Sequence, residues 1–275
     1  MMIEINNLSF NYGRLKVFDG FNLQIPKGQV CLITGINGVG KSTLLRLVAR
    51  VLNPLSGEIR FPQITSPDPR SKIGFISDTL SLYQNLKVSQ AIDFHKSVYK
   101  IQKFDDSLIS HTKIKKNQRI KELSNGQKTI FHLSLILSAQ PDIFLIDEVI
   151  HSIDAYLRKV FLEKLIDLLT EKKLTVIMVN LNFYDIENMI DRVILLKDGK
   201  TAVDEKIDDL KTKVKKITSS TQPKNIPILT EIHYSDHADY YVYPYETNDN
   251  DDMEGEIIDL DLTEIITAFI GGEYA

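Results

Sequence analysis

The nine residues 35–43, GINGVGKST, follow the apolar run VCLITG and lead directly into KSTLLRLVARVL, where apolar residues recur at helical spacing. A buried strand, a glycine-rich loop and a helix in that order open an α/β domain whose strands run parallel. An all-helical or purely antiparallel chain has no place for such a unit. The text further along repeats the alternation: strand IGFIS at 73–77, helix GQKTIFHLSLILSAQ from 126, strand DIFLID after Pro141, the amphipathic helix YLRKVFLEKLIDLLTEKK, strand LTVIMV, a short helix and strand RVILLKDGK. Such alternation implies right-handed crossovers and a mostly parallel sheet.

Three segments stand apart from this core. IEINNLSF at 3–10 and FNLQI at 21–25 alternate apolar and polar residues, PKG at 26–28 marks a turn, and NPLSGEIRF turns back into a strand, so a small antiparallel β subdomain is expected at the start. Residues of about 79–123 read as a short inserted helical subdomain, with the basic run KIKKNQRIK, Lys113 to Lys121, as a solvated helix face. Beyond about 206, KTKVKKITSSTQPKNIP reads as a polar connector, ILTEIHY and YYVYPY as strands, and TEIITAFIGGEY as a terminal helix. The expected organisation is a domain over 1–205 and a small C-terminal α/β subdomain over 206–275. The nine acids from Glu246 to Glu264, with no Lys or Arg among them, read as a solvated acidic face.

Composition narrows the function classes. With 43% hydrophobic and 25% charged residues and a net charge of -4, the 275-residue chain reads as a soluble globular protein with no global pull toward nucleic acid. Its one cysteine, Cys31, excludes a disulfide framework or a cysteine zinc site. No window is apolar enough for a membrane span. Work at a membrane would need another chain to carry the protein there.

The loop carries the first chemistry. Four free positions between a glycine and Gly-Lys-Ser, set between strand and helix, form a P-loop: Gly35, Asn37, Gly38 and Gly40 turn backbone N–H groups onto phosphates, and Lys41 reaches the β and γ oxygens. Ser42 is expected to ligate Mg²⁺, and Thr43 lies in the helix whose positive dipole end faces the anion. Downstream, FLIDE at 144–148 ends an apolar strand on two acids, Asp147 suited to the Mg²⁺ shell and Glu148 to polarising the attacking water.

A second anion-seeking helix start is LSNGQ at 123–127, about 20 residues before Asp147. With this element the sequence resembles the ATP-binding subunits of ABC transporters over about residues 2–200. In that family LSGGQ closes over the γ-phosphate held by an opposite subunit. Ser124, Gly126 and Gln127 match it, with Asn125 in place of a glycine, and Tyr12 stands where the family stacks an aromatic ring on adenine. The short helical segment and the ending LTEIITAFIGGEY are similar to single-cassette subunits of bacterial ABC-2-type exporters. The resemblance implies a P-loop NTPase fold, ATP and Mg²⁺ as ligands, a membrane-spanning transporter subunit and a second ATP-binding subunit as partners, no nucleic acid, and a peripheral place on the cytoplasmic face of the cell membrane.

Three positions depart from the family pattern. Asp78 stands where a glutamine usually touches Mg²⁺; it can still ligate the ion. Leu181 stands where a histidine usually contacts the γ-phosphate, unless a one-residue slip brings Asn180 or Asn182 there. His151, in VIHSID, takes the place of a serine at the expected subunit interface. These departures leave two readings open: an ATPase energising export, or a degenerate ATP-binding regulatory subunit that hydrolyses slowly and pairs with a different, active ATPase. The histidine pair His233 and His237 reads as incidental.

Overall fold

The computed structural model describes residues 1–77, 82–148, 153–172, 174–179, 186–246 and 255–271. The chain begins with a hairpin of β1 (Ile3–Tyr12) and β2 (Leu15–Ile25), followed by β3 (Val30–Thr34), α1 (Lys41–Val48) and β4 (Ser56–Arg60). β4 pairs back onto β1, making a three-stranded antiparallel sheet in the order β2-β1-β4. Alternation explains it: Ile3, Ile5, Leu8 and Phe10 of β1 are buried, with more exposed residues between them.

The middle of the chain supplies β5 (Ile73–Ser77), α2 (Val88–Tyr99), the single turn α3 (Ser107–Ser110), α4 (Asn125–Ser138), β6 (Ile143–Asp147) and α5 (Ala155–Lys172). β7 (Thr175–Val179), β8 (Arg192–Lys197) and β9 (Lys200–Lys206) then complete a six-stranded sheet in the order β5-β6-β7-β3-β8-β9, parallel except for the hairpin strand β9. β3, β6 and β7 are buried at every residue, because both faces of the sheet are covered.

On one face Cys31, Ile33, Leu145, Ile177 and Ile194 join a cluster with α1 and the antiparallel sheet. On the other, Leu32, Phe144, Ile146, Val176 and Met178 pack with α4 and α5. The stripe Leu157, Phe161 and Leu165 turns α5 onto that face, with the Phe161 ring centroid 6.5 Å from that of Phe144. Each such side chain contributes roughly 1.5–3 kcal/mol by leaving water. The sheet between the two clusters is therefore a rigid platform, and its carboxyl edge is where the conspicuous residues gather.

After β9 come α6 (Ile207–Lys213), β10 (Lys215–Ser219), β11 (Ile228–His233), β12 (Ala238–Val242), β13 (Glu256–Asp259) and α7 (Leu262–Ile270). The four strands form an antiparallel sheet in the order β11-β12-β10-β13. Ile217, Tyr240 and Val242 anchor a small cluster of their own. Leu262, Ile265 and Ile266 of α7, however, belong to the same buried cluster as α4 and α5.

Two expectations need correcting. The basic run 113–121 is not a helix face: it is turn and extended chain, with Ile120–Glu122 forming a single 3-10 turn and Arg119 bridging to Lys87. Neighbouring lysines and a β-branched isoleucine give no apolar stripe to pack, so nothing holds a helix there. The supposed connector after 206 holds α6 and the inner strand β10, because Lys215 and Lys216 sit in a strand with their ammonium groups paired to Asp259 at 2.6 Å and Asp239 at 3.6 Å.

Candidate functional site

The P-loop leaves the carboxyl end of β3 and closes on α1, as the sequence predicts. Three glycines turn it through backbone regions that other residues avoid: Gly35 at φ 136°, Gly38 at φ 83° and Gly40 at φ 111°. At Gly35 a Cβ would stand 2.4 Å from the Leu196 carbonyl oxygen, and at Gly40 it would meet the Val17 and Phe18 side chains at 2.8 and 2.9 Å. Gly40 is also the N-cap of α1, and it offers no side chain to the first-turn N–H groups. They are left for an anion.

Lys41 is buried, and its Nζ donates to the carbonyl oxygens of Gly35 at 2.8 Å and Ile36 at 2.9 Å. Burial lowers the pKa of its ammonium, and the charges of Glu148 and Asp147 act in the opposite sense. A cation held among carbonyls with two carboxylates nearby is poised for phosphate oxygens. Thr43 is buried in the first turn of α1, while Asn37 in the loop is exposed.

Ser42 and Asp147 are 105 residues apart in sequence, yet the Ser42 hydroxyl donates to Asp147 Oδ1 at 2.8 Å. Asp147 is buried at the end of β6, two strands from β3, with β7 between them. A hydroxyl and a carboxylate side by side are hard oxygen donors of the kind Mg²⁺ takes, so the pair fits that ion. Glu148 follows at φ 54°, a left-handed conformation unusual for a non-glycine residue and of order 1–3 kcal/mol in strain. Its N–H donates to the Val179 carbonyl at 3.1 Å, tying it to the end of β7, and its side chain is exposed.

Ser124, Gly126 and Gln127 occupy a different place, the start of α4. The Ser124 side chain accepts from the Gln127 N–H at 3.2 Å, while the Ser124 N–H donates to Gln127 Oε1 at 3.0 Å, a reciprocal capping box. Tyr12 is half exposed at the tip of the β1–β2 hairpin, edge-on to Phe10 with ring centroids 5.0 Å apart. Asp78, Leu181 and His151, with Asn180 and Asn182, lie outside the described residues. His233 and His237 pair with Glu231 and Asp236, and among the described residues no group of three or more His, Cys, Asp or Glu side chains is arranged to hold a metal ion.

Sequence reasoning missed the residues flanking the loop. A cavity of about 380 Å³ lies against residues 36–39, and its far wall is Lys16, Val17 and Asp19 of β2 with Asp198 and Gly199. The last two form the β8–β9 turn, both at positive φ. An Asp-Gly pair between two strand-like runs was the signal that could have found it. Tyr12 is not among these lining residues.

Known proteins resemble the chain in sequence and fold. Residues 18–151 match the family model described as ABC transporter. The chain is 28% identical over 245 residues to the ABC transporter ATP-binding protein YtrB of Bacillus subtilis, covering 84% of this chain and 83% of YtrB. It is 30% identical over 213 residues to the sulfate/thiosulfate import ATP-binding protein CysA of Escherichia coli K12, covering 72% of this chain but only 58% of CysA. Among solved structures, a dimeric ATP-binding cassette in a post-hydrolysis state bound to ADP and Pi superposes with a TM-score of 0.65 at 23% identity, over 75% of this chain and 99% of that one. The fold is that of a P-loop NTPase of the ABC cassette type, and the chain carries an ABC transporter domain whose relatives are ABC transporter ATP-binding proteins.

Proposed function

We propose that the chain is an ATP-binding and ATP-hydrolysing subunit of an ABC transporter, in which ATP binding and hydrolysis at a subunit interface drive export through separate membrane subunits. The observation that carries this reading is the convergence of Lys41, Ser42, Asp147 and Glu148 at the carboxyl edge of the sheet, with Ser42 and Asp147 2.8 Å apart. Gly35, Asn37, Gly38, Gly40, Lys41 and Thr43 would cradle the phosphates of ATP, with Tyr12 toward the base. Ser42 and Asp147, with Asp78, would hold Mg²⁺, which when bound neutralises charge on the phosphate oxygens. Glu148 would orient and polarise the water that attacks the γ-phosphorus as the bond to the β-phosphate oxygen breaks, giving ADP and phosphate. The loop N–H groups and the Lys41 ammonium meet the charge that develops. Ser124, Gly126 and Gln127 would engage the ATP of a second subunit.

A membrane-spanning partner is supported by a groove of about 520 Å³ between α2, α4, β5 and the end of α1. Along it Val51, Tyr83, Phe94 and Val98 are each more than half exposed, an apolar face of the kind that interfaces cover. Among the described residues no helix is long and apolar enough to cross a membrane. In this reading the chain attaches peripherally to the cytoplasmic face through that partner, and divides into a cassette over 1–205, its helical insertion at about 79–123 and an accessory part over 206–275. The net charge of -4 gives nucleic acid no general hold. Export rather than import rests on the short helical insertion and the form of the C-terminal end; CysA, by its name, serves import.

Leu181 favours a second reading, a degenerate regulatory subunit that pairs with a different active ATPase. One experiment separates them: Mg-ATP binding and phosphate release by the purified chain, with Lys41→Ala and Glu148→Gln as controls. Turnover abolished by both substitutions establishes an ATPase in its own right. Binding without turnover establishes the degenerate subunit, and no binding refutes both. Direction of transport is read from ATP-driven substrate movement in inside-out vesicles.

A further inference from the structure

The antiparallel sheet of the C-terminal part ends in two edge strands, β11 and β13, and among the described residues nothing pairs with the outer side of either. An edge strand presents a row of N–H and C=O groups ready for another chain, and natural proteins blunt it with charge. The two edges differ in this respect. β13 carries Glu256 and Asp259 at its ends, so two copies laid side by side and antiparallel set acid against acid. β11 carries Ile232, 45% exposed, between an acid and an imidazole, Glu231 and His233, that are both exposed as well.

The hairpin joining β11 to β12 fixes which backbone groups face outward. The Tyr234 N–H donates to the His237 carbonyl at 2.9 Å, and Ile232 stands opposite Asp239 two residues further in. Hydrogen-bonded residues alternate along an antiparallel ladder, so Tyr234, Ile232 and Thr230 turn their backbone groups toward β12. Glu231 and His233 turn theirs to the free edge. Their side chains share the face of Tyr240 and Ala238, with His233 Nε2 and Glu231 Oε1 3.1 Å apart, while Ile232 lies on the other face with Asp239.

We propose that β11 is an interface with a second copy of this chain, the two strands pairing antiparallel about a two-fold axis through Ile232 so that the two sheets become one. Outward-facing residues pair only with each other, so the axis passes through a residue and not between two. Through Glu231 it sets carboxylate against carboxylate; through His233 it sets imidazole against imidazole. Through Thr230 it brings Pro227, which has no N–H, opposite the partner's His233. Through Ile232 each Glu231 faces the partner's His233, the reciprocal N–H to C=O bonds of that pair close, and the two exposed isoleucines cover each other. Because the same patch serves both copies, the contact closes at two, whereas joining β11 to β13 would run on as a filament. The contact uses none of the P-loop residues and needs no nucleotide, so its failure leaves the ATPase reading untouched.

The test is sedimentation equilibrium of the full chain without nucleotide, with cysteine pairing to read the register. Cys31 is buried, so a cysteine introduced at the edge is the thiol that reacts. Residues opposed in a non-hydrogen-bonded pair have Cα atoms about 4.5 Å apart, within disulfide reach. The expected result is a reversible monomer–dimer equilibrium, ready disulfide linkage of Ile232→Cys to itself, none for Thr230→Cys alone, and a mixed dimer when Thr230→Cys meets Tyr234→Cys. His233→Pro deletes an outward N–H and spares the ladder to β12. With its melting temperature checked, it should weaken dimerisation by about tenfold through one hydrogen bond lost on each side of the axis. A chain that stays monomeric overturns the proposal, as does Thr230→Cys linking to itself as readily as Ile232→Cys. Unchanged dimerisation in folded His233→Pro overturns it as well.

Discussion

Two helix starts in this protein are suited to phosphate, and they are built in opposite ways. α1 begins at a glycine with no side chain to spend, so its first-turn N–H groups have no cap, and the buried Lys41 stands among loop carbonyls. α4 begins at Ser124, whose hydroxyl and N–H are both occupied by Gln127. The first is a terminus left open within one chain by glycines that take positive φ; the second is self-satisfied and would have to redirect Ser124 or Gln127 to meet a ligand. A terminus left open is specialised for binding, whereas a capped one also stabilises its own helix.

That contrast can be broken from its stronger side first. Lys41→Ala removes the buried ammonium and should lower phosphate release by roughly 10²–10³-fold, with weaker nucleotide binding in a fluorescence titration. Retained turnover would mean that the open terminus alone suffices. Glu148→Gln is expected to cut turnover by roughly 10²-fold while nucleotide affinity stays within about twofold, separating water activation from phosphate binding. A parallel loss of affinity would assign Glu148 to the binding site.

A gain is expected from Leu181→His, which supplies a donor that the sequence lacks: turnover should rise by roughly tenfold in a complex shown to bind ATP. No gain would count against the idea that Leu181 limits the site. The smallest effect belongs to the capped terminus. Ser124→Ala should cost about 1 kcal/mol of stability through loss of the cap, seen in denaturant melts, and leave nucleotide binding by the same chain unchanged. A larger drop in hydrolysis by the assembled pair would assign Ser124 a second duty.

How legible each region was follows from the same physics. β3, β5, β6 and β7 lie at 30–34, 73–77, 143–147 and 175–179, where the apolar runs placed them, because burial on two faces leaves little room for polar residues. The P-loop was legible because its glycines and lysine answer local demands. β10 and β13 were not: Lys215 and Asp259 read as solvent-loving text, and their strand positions come from backbone ladders that set β10 between β12 and β13, which local text does not announce. The Ser42–Asp147 contact joins residues 105 apart, and motif chemistry anticipated its partners but not its distance. The Lys16, Val17 and Asp198 wall escaped notice because it depends on β2 and the β8–β9 turn meeting in space. His95 and His132 likewise show no motif spacing, since two separate helices bring them to one groove.

The shared burial of α7 with α4 and α5 has a consequence for how the molecule opens. Segments that contribute to one apolar cluster tend to exchange their amide hydrogens as a single cooperative unit. Protection along α7 should therefore track that of α4, and any ligand that binds only the native state raises the opening free energy of both together. Cutting the chain before Leu260 would strip the wall from that cluster, so the cassette cannot be trimmed to its nucleotide-binding motifs without changing the stability of what remains.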